Sequence, residues 1–365
     1  VDAIDWSAAQ RIGELIAGSP PYGGVRAETV EPLAYDFARR VSDYSGLALP
    51  AALPPLEAVD RAGWIAANLQ SMRPVLGGLT ERVGGGSGLL SIGPLRSAMG
   101  FLLGAQVGAL TGVLSQRVLG QYDLALLDAS APPRLLLLAP NLAQAAPNLG
   151  VDRDELVLWV TIHEITHAVQ FSGAPWLRDH LGGMLKELID GLQVTVAGPS
   201  SLGERLPKLP NPGELRELLE RARRGELLRL TLGEDRWQLL ERVQATMSLI
   251  EGHAEHTMDA IGAEVLPSLP RLRAAMNRRR GSRGLPWRVL ERLLGLELKL
   301  RQYEVGRRFC DAVVAAEGPA ALARAWSGPE ALPTTAELED PSQWLARMRP
   351  QPGTDDRTHV PPVTS

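Results

Sequence analysis

The stretch that most constrains how this chain can fold is Thr161-Ile-His-Glu-Ile-Thr-His-Ala-Val-Gln170, with His163-Glu164-x-x-His167 at its centre. On an α-helix, residues four apart lie on one face about one turn apart, so His163 and His167 can aim two imidazoles at one point. Glu164 projects from the neighbouring face. The flanks predict a real helix. Asp152 followed by Glu155 is a D-x-x-E variant of the capping box, which places the N-cap at Asp152, and Gly173 with Pro175 supplies the stop. Between them Leu156, Val157, Leu158, Trp159, Val160, Ile162, Ile165, Ala168 and Val169 are apolar almost all round, the mark of a central helix. Two histidines and a glutamate inside such a helix are costly to bury without partners, and a divalent cation removes that cost.

His-Glu-x-x-His is the pattern of zinc hydrolases, in which the histidines hold the ion and the glutamate serves a water as general base. The chain has six histidines, so a chance match to this motif is rare. Cys310 is the single cysteine, which excludes an intramolecular disulfide and a cysteine-based zinc site and suits a reducing cytoplasm. Val1-Asp-Ala-Ile-Asp-Trp6 lacks the basic region and apolar core of a signal peptide, so the expected location is cytoplasmic. A net charge of -4 gives no reason to expect a nucleic-acid partner, and 45% hydrophobic with 22% charged residues is ordinary globular usage.

The expected organisation is mainly α. Residues 1–120 read as a helical region, 121–200 as a small β element plus the motif helix, 201–349 as a second helical region, and 350–365 as a polar, Pro-rich disordered tail. Val30, Leu33, Phe37, Val41 and Tyr44 keep the spacing of an amphipathic helix. Pro54-Pro55 opens another, through Trp64 to about Leu76. Gly84-Gly-Gly-Ser-Gly88 breaks the pattern and lacks the ending of a phosphate loop. From Ser97 to Leu119, Gly100, Gly104, Gly108 and Gly112 form a small-residue stripe that lets backbones approach closely. The run is nearly long enough to span a bilayer, but Gln106, Thr111, Ser115 and Gln116 favour a tightly packed buried helix, and no membrane span is expected. Tyr122–Asp128 and Arg134–Ala139 read as two strands just before the motif helix, where zinc proteases place a small sheet whose edge can bind an extended peptide. Beyond Gly173 the reading is a Pro-rich loop at Pro207–Gly213, a long helix from Glu234 to about Ile261, a basic loop at Arg278-Arg279-Arg280, and a helix from Pro286 to about Val314.

A catalytic zinc needs a third protein ligand. The extended H-E-x-x-H-x-x-G-x-x-H motif is excluded, because its extra positions hold Gln170 and Gly173, and His180 lies beyond Pro175, off the motif helix. Glu251-Gly-His-Ala-Glu255-His256 is the better source. At about 100° per residue, Leu240, Val243, Met247, Ile250, Ala254 and Met258 form one apolar stripe. Glu251 falls within it and Glu255 at its edge, while His253 points roughly opposite and His256 leans the same way. A lone buried carboxylate would be neutralised or expelled, whereas a metal keeps it ionised, so Glu251 is the expected third ligand. Glu255, one turn on, is the expected acceptor for a ligand histidine. Pairing of Glu251 with a core arginine, or ligation by His253 or His256 with the helix turned over, are the competing readings. His256 and Tyr303 are candidates to stabilise an oxyanion.

Several stretches together resemble bacterial zincin-like metallopeptidases, also labelled hydrolases: His163-Glu-Ile-Thr-His-Ala-Val-Gln-Phe171, Pro175-Trp-Leu177, and Ser248-Leu-Ile-Glu-Gly-His-Ala-Glu-His256 with Asp259. Asp5-Trp6, Val118-Leu-Gly-Gln-Tyr-Asp123 and Arg301-Gln-Tyr303 extend the likeness over nearly the whole chain. It implies a mainly α, zincin-like helical fold with a small β hairpin or sheet beside the active-site helix, and a zinc peptidase acting on a peptide or protein. Glu251-x-x-Ala254-Glu255 is also similar to the E-x-x-A-D element of glutamate-ligand zinc peptidases, where the first acid binds zinc and the second orients a ligand histidine. Here the second acid is the longer Glu. A zinc-binding protein without turnover is the alternative. A di-iron site built on Glu164, His167, Glu251 and Glu255 lacks its second Glu-x-x-His, since Ala254, Met258 and Pro267 stand three residues after Glu251, Glu255 and Glu264. Metal analysis of the purified protein beside His163→Ala and Glu251→Ala should show zinc in the parent and its loss in both variants. Undiminished zinc in the Glu251 variant would move the third ligand elsewhere.

Overall fold

The computed structural model describes residues 4–84, 93–126, 131–192, 233–281 and 297–349, with side chains throughout except at 75–84, 93–96, 189–192, 280–281 and 297–303. Helices dominate. In chain order they and the strands are α1 (Trp6–Ala17), α2 (Glu31–Ser45), β1 (Leu56–Val59), α3 (Arg61–Gly84), α4 (Gly93–Ser115), β2 (Gly120–Asp123), β3 (Arg134–Leu138), α5 (Ala139–Leu149), α6 (Arg153–Gly173), α7 (Trp176–Leu192), α8 (Glu234–Val265), α9 (Leu269–Gly281) and α10 (Glu297–Glu317). Short helices at Pro319–Ala323, Thr335–Glu339 and Pro341–Arg347 close the described chain.

Strand β3 is the centre of a three-stranded sheet in the order β1-β3-β2, parallel to β1 and antiparallel to β2. Its Leu135–Leu138 run is fully buried on both faces, as a continuous apolar strand requires. Alternation sends Leu135 and Leu137 into the large core with α6, and Leu136 and Leu138 into a smaller cluster with Trp64 and Ile65 of α3. The large core runs from Val25 to Leu345, so all three helical and β-containing segments expected from the sequence contribute to it.

Several expectations are corrected. Leu56–Val59 is a strand, not the start of the following helix; four residues show too short an alternation to read, and pairing with β3 decides their state. Arg278 and Arg279 belong to α9 rather than a loop, with Arg279 Nη2 donating to the Arg117 carbonyl at 2.8 Å. The Pro207–Gly213 loop, the 286–296 stretch and the 350–365 tail lie outside the described residues. The glycine stripe of α4 does bring backbones together: a Cβ at Gly104, Gly108 or Gly112 would fall on the carbonyls of Asp5, Ala9 and Gly13 in α1 and its cap. The helix is not buried, however. Among the described residues 28% of the Ser97–Ser115 window is buried, and Met99, Phe101 and Leu102 are 40–53% exposed. It is the one helix among the described residues long and apolar enough to cross a membrane.

A second glycine contact positions the site. Gly252 of α8 and Gly306 of α10 face each other so closely that a Cβ on either would strike the partner backbone, at Gly306 and Ser248 respectively. Gly306→Ala must push α10 off α8, costing about 1–3 kcal/mol by overpacking. The expected readout is a lower urea midpoint with an unchanged m-value. An unshifted midpoint would mean that the two helices separate without penalty.

Candidate metal centre

Helix α6 begins as expected. Asp152 is its N-cap, and its Oδ1 accepts from the Asp154 and Glu155 N–H groups at 2.9 and 3.0 Å, a cap worth about 1 kcal/mol. The helix then crosses α8, and the crossing brings His163, His167 and Glu251 together, with one ligand atom from each inside a 4.8 Å group. The two Nε2 atoms stand 3.2 Å apart, and Glu251 Oε2 lies 3.5 Å from His163 Nε2 and 3.7 Å from His167 Nε2. Donors at about 2.0–2.2 Å from a tetrahedral zinc stand roughly 3.3–3.6 Å from one another. The observed triangle is close to that size, so the donor set fits the ion without rearrangement of the helices.

The electrostatics suit the same reading. Burial pushes the Glu251 carboxyl up, but the two imidazoles outweigh it and hold the group well below the usual carboxylate range. Burial lowers His167, and the adjacent Glu251 carboxylate more than reverses this, lifting the ring to about 9. A proton or a cation thus balances this half-buried carboxylate. Trp159 stacks on the His163 ring, with centroids 6.5 Å apart and planes 14° apart. Among the described residues, the buried Nδ1 of His163 has no hydrogen-bond partner.

Glu164 engages the sheet, and it is not among the three residues whose ligand atoms form the metal-sized group. Its Oε2 accepts the Tyr122 N–H of β2 at 2.7 Å, and burial raises its pKa against the pull of both histidines. Gly120 makes the approach possible: a Cβ there would lie 2.5 Å from Val160 Cγ1 and 2.8 Å from Glu164 Oε1. Strand β2, at the edge of the described sheet, therefore lies beside the motif helix, with its Tyr122 N–H engaged by Glu164.

The other expected residues are placed differently. The acceptor on His167 Nδ1 is not Glu255 but Gln170, whose Oε1 is 2.8 Å away. Glu255 is buried on α8. Both ring nitrogens of His256 are engaged elsewhere, Nε2 with Tyr44 Oη at 2.7 Å and Nδ1 with Asp311 Oδ1 at 2.6 Å, which leaves neither for an oxyanion. Its role is to bracket α2, α8 and α10. Tyr303 lies in α10, and its side chain is outside the described set. His180 is on α7, edge-on to Trp176. His253 is 1% exposed, against α6 and Trp326, because α8 is enclosed on more sides than its apolar stripe alone indicates. Burial, with His256 and His167 nearby, pulls its pKa to about 3, so the ring is neutral. Gln170 is not among the site residues expected from the sequence; its helical spacing of three from His167 is the signal that points to it.

Residues 4–345 match the family model described as zincin-like metallopeptidase. A crystal structure from Chloroflexus aurantiacus, of a protein described as a "putative hydrolase with a novel fold", matches with a TM-score of 0.66 and 30% sequence identity, covering 94% of this chain and 98% of that one. No curated protein matches.

The His167–Glu251 pair predicts a pH dependence for chelated protein. A base raised from 6.5 to about 9 contributes stability that is fully present below 6.5 and is lost as the pH rises through about 9. A carboxyl lowered from 4.5 contributes above 4.5 and loses its share as the pH falls from there. Urea unfolding should thus show the pair at full strength between 4.5 and 6.5, with an alkaline decline that His167→Gln abolishes. An identical decline in that variant would assign it to other groups.

Proposed function

The chain belongs to the zincin-like metallopeptidase family, and from that membership we propose that it is a zinc-dependent hydrolase acting on peptide bonds. The observation that carries the reading is the convergence of His163, His167 and Glu251 from two helices onto one metal-sized triangle, with the Glu164 side chain on the adjoining face. When bound there, zinc supplies Lewis acidity that polarises a carbonyl and makes water a better acid.

The chain's own residues divide the remaining work. His163 and His167 present Nε2, and Glu251 brings the negative charge that offsets part of the ion's charge. These three residues would hold the ion and would leave it accessible to water or substrate, as the donors of catalytic rather than structural zinc sites do. Glu164 is held at Oε2 by the Tyr122 N–H, which leaves Oε1 to take a proton from water and hand it to the leaving amine. Burial raises the proton affinity of this carboxylate, as a base working near neutral pH requires. Tyr122 and Gly120 act through Glu164: one fixes an oxygen, and the other admits the strand to that distance.

One observation favours a second reading, a zinc-binding protein without turnover: Glu164 is only 6% exposed. Glu164→Gln separates the two. Under the hydrolase reading the variant retains zinc at parent stoichiometry and loses about 10²–10⁴-fold in the rate of cleavage of a quenched fluorescent peptide mixture. Equal rates in parent and variant, or cleavage that survives complete chelation, would overturn it.

A further inference from the structure

We propose that Gln170 is a positioning residue that fixes the tautomer of His167 and locks the imidazole-bearing helix in register with the helix that carries Glu251. The metal half of this proposal rests on the zinc-site reading above; the tautomer half does not.

The Gln170 side chain is fully buried and makes three short contacts. Oε1 lies 2.8 Å from His167 Nδ1, while Nε2 lies 2.9 Å from the Ile250 carbonyl oxygen and 2.8 Å from His253 Nδ1. One of these partners is chemically unambiguous. A backbone carbonyl can only accept, so the amide nitrogen must face Ile250. Flipping the amide would set two acceptor oxygens 2.9 Å apart in a site that water does not reach.

The remaining assignments follow. With its nitrogen on Ile250, the amide turns its oxygen to His167, and an oxygen accepts, so His167 Nδ1 carries the proton. The lone pair is then on Nε2, the atom that faces His163 and Glu251. The second amide hydrogen meets His253 Nδ1, which must accept, so the neutral His253 ring carries its proton on Nε2. That ring sits edge-on to Trp326, with centroids 5.0 Å apart.

Ile250 is the residue before Glu251, so the amide that orients an imidazole on α6 also grips the backbone that delivers the carboxylate from α8. A carboxylate at position 170 could accept from His167 but would turn its second oxygen on the Ile250 carbonyl and His253 Nδ1. An amide has the donor and acceptor pattern that all three contacts need.

The test uses the full chain. Long-range 1H–15N spectra of the His167 ring are recorded in chelated protein at alkaline pH, where the ring is neutral, and again with zinc bound. Zinc affinity is measured by chelator competition for the parent and for Gln170→Leu, with urea unfolding as the control for folding. The expected results are a proton on Nδ1 in the parent, a mixed tautomer in Gln170→Leu, and zinc held about 10–100-fold more weakly by the variant. A parent ring protonated on Nε2, read without any substitution, would overturn the proposal, as would unchanged zinc affinity in a folded Gln170→Leu protein. A parent that binds no zinc would sink the hydrolase reading instead, while the tautomer spectrum would still judge Gln170.

Discussion

A carboxylate and two imidazoles, more than eighty residues apart in the sequence and carried by two helices, meet with their donor atoms 3.2–3.7 Å from one another. Neither helix alone explains this arrangement. A half-buried Glu251 is disfavoured as a lone anion, and the burial of His167 opposes its protonation. Together they compensate, and a divalent cation compensates both without needing a proton. The surrounding apolar packing, with Ile162, Ile165, Leu249 and Ile250 in one core, keeps the effective dielectric low enough for that compensation to matter.

The sheet contributes through its edge rather than its core. The β3 leucines anchor it between two apolar clusters, which leaves β2 free to run along α6. The consequence is a backbone N–H aimed at Glu164. A carboxylate on a helix held by a strand is better defined than one left to its own rotamers, because the strand is itself fixed by pairing with β3.

What could be read from the sequence divides along the range of the interactions involved. The cap at Asp152, the extent of α6 and the inward placement of Glu251 depend on neighbours within a few turns, and residue spacing carries that information. The mainly α class followed from the same local periods. Strand β1 did not, because Leu56–Val59 is a strand only by virtue of Leu135–Leu138. The orientation of His253 was misread for a similar reason: one apolar stripe implies one buried face, yet α8 is packed against α2, α6 and α10 together. His256 looked available because Tyr44 and Asp311, which occupy its ring, come from opposite ends of the chain. The α4 glycines showed that another backbone comes near but not how many faces of the helix would be covered.

The contact between Gly252 and Gly306 bears on how this centre can change over evolutionary time. Helix α8 carries several residues able to bind a metal, and a modest rotation would present a different one. Main chain against main chain leaves no side-chain cushion to absorb such a rotation. Presenting another residue of α8 to the two histidines would therefore require α10 to be re-seated as well, so the identity of the side chain that faces them is tied to a pair of residues that have no chemistry of their own.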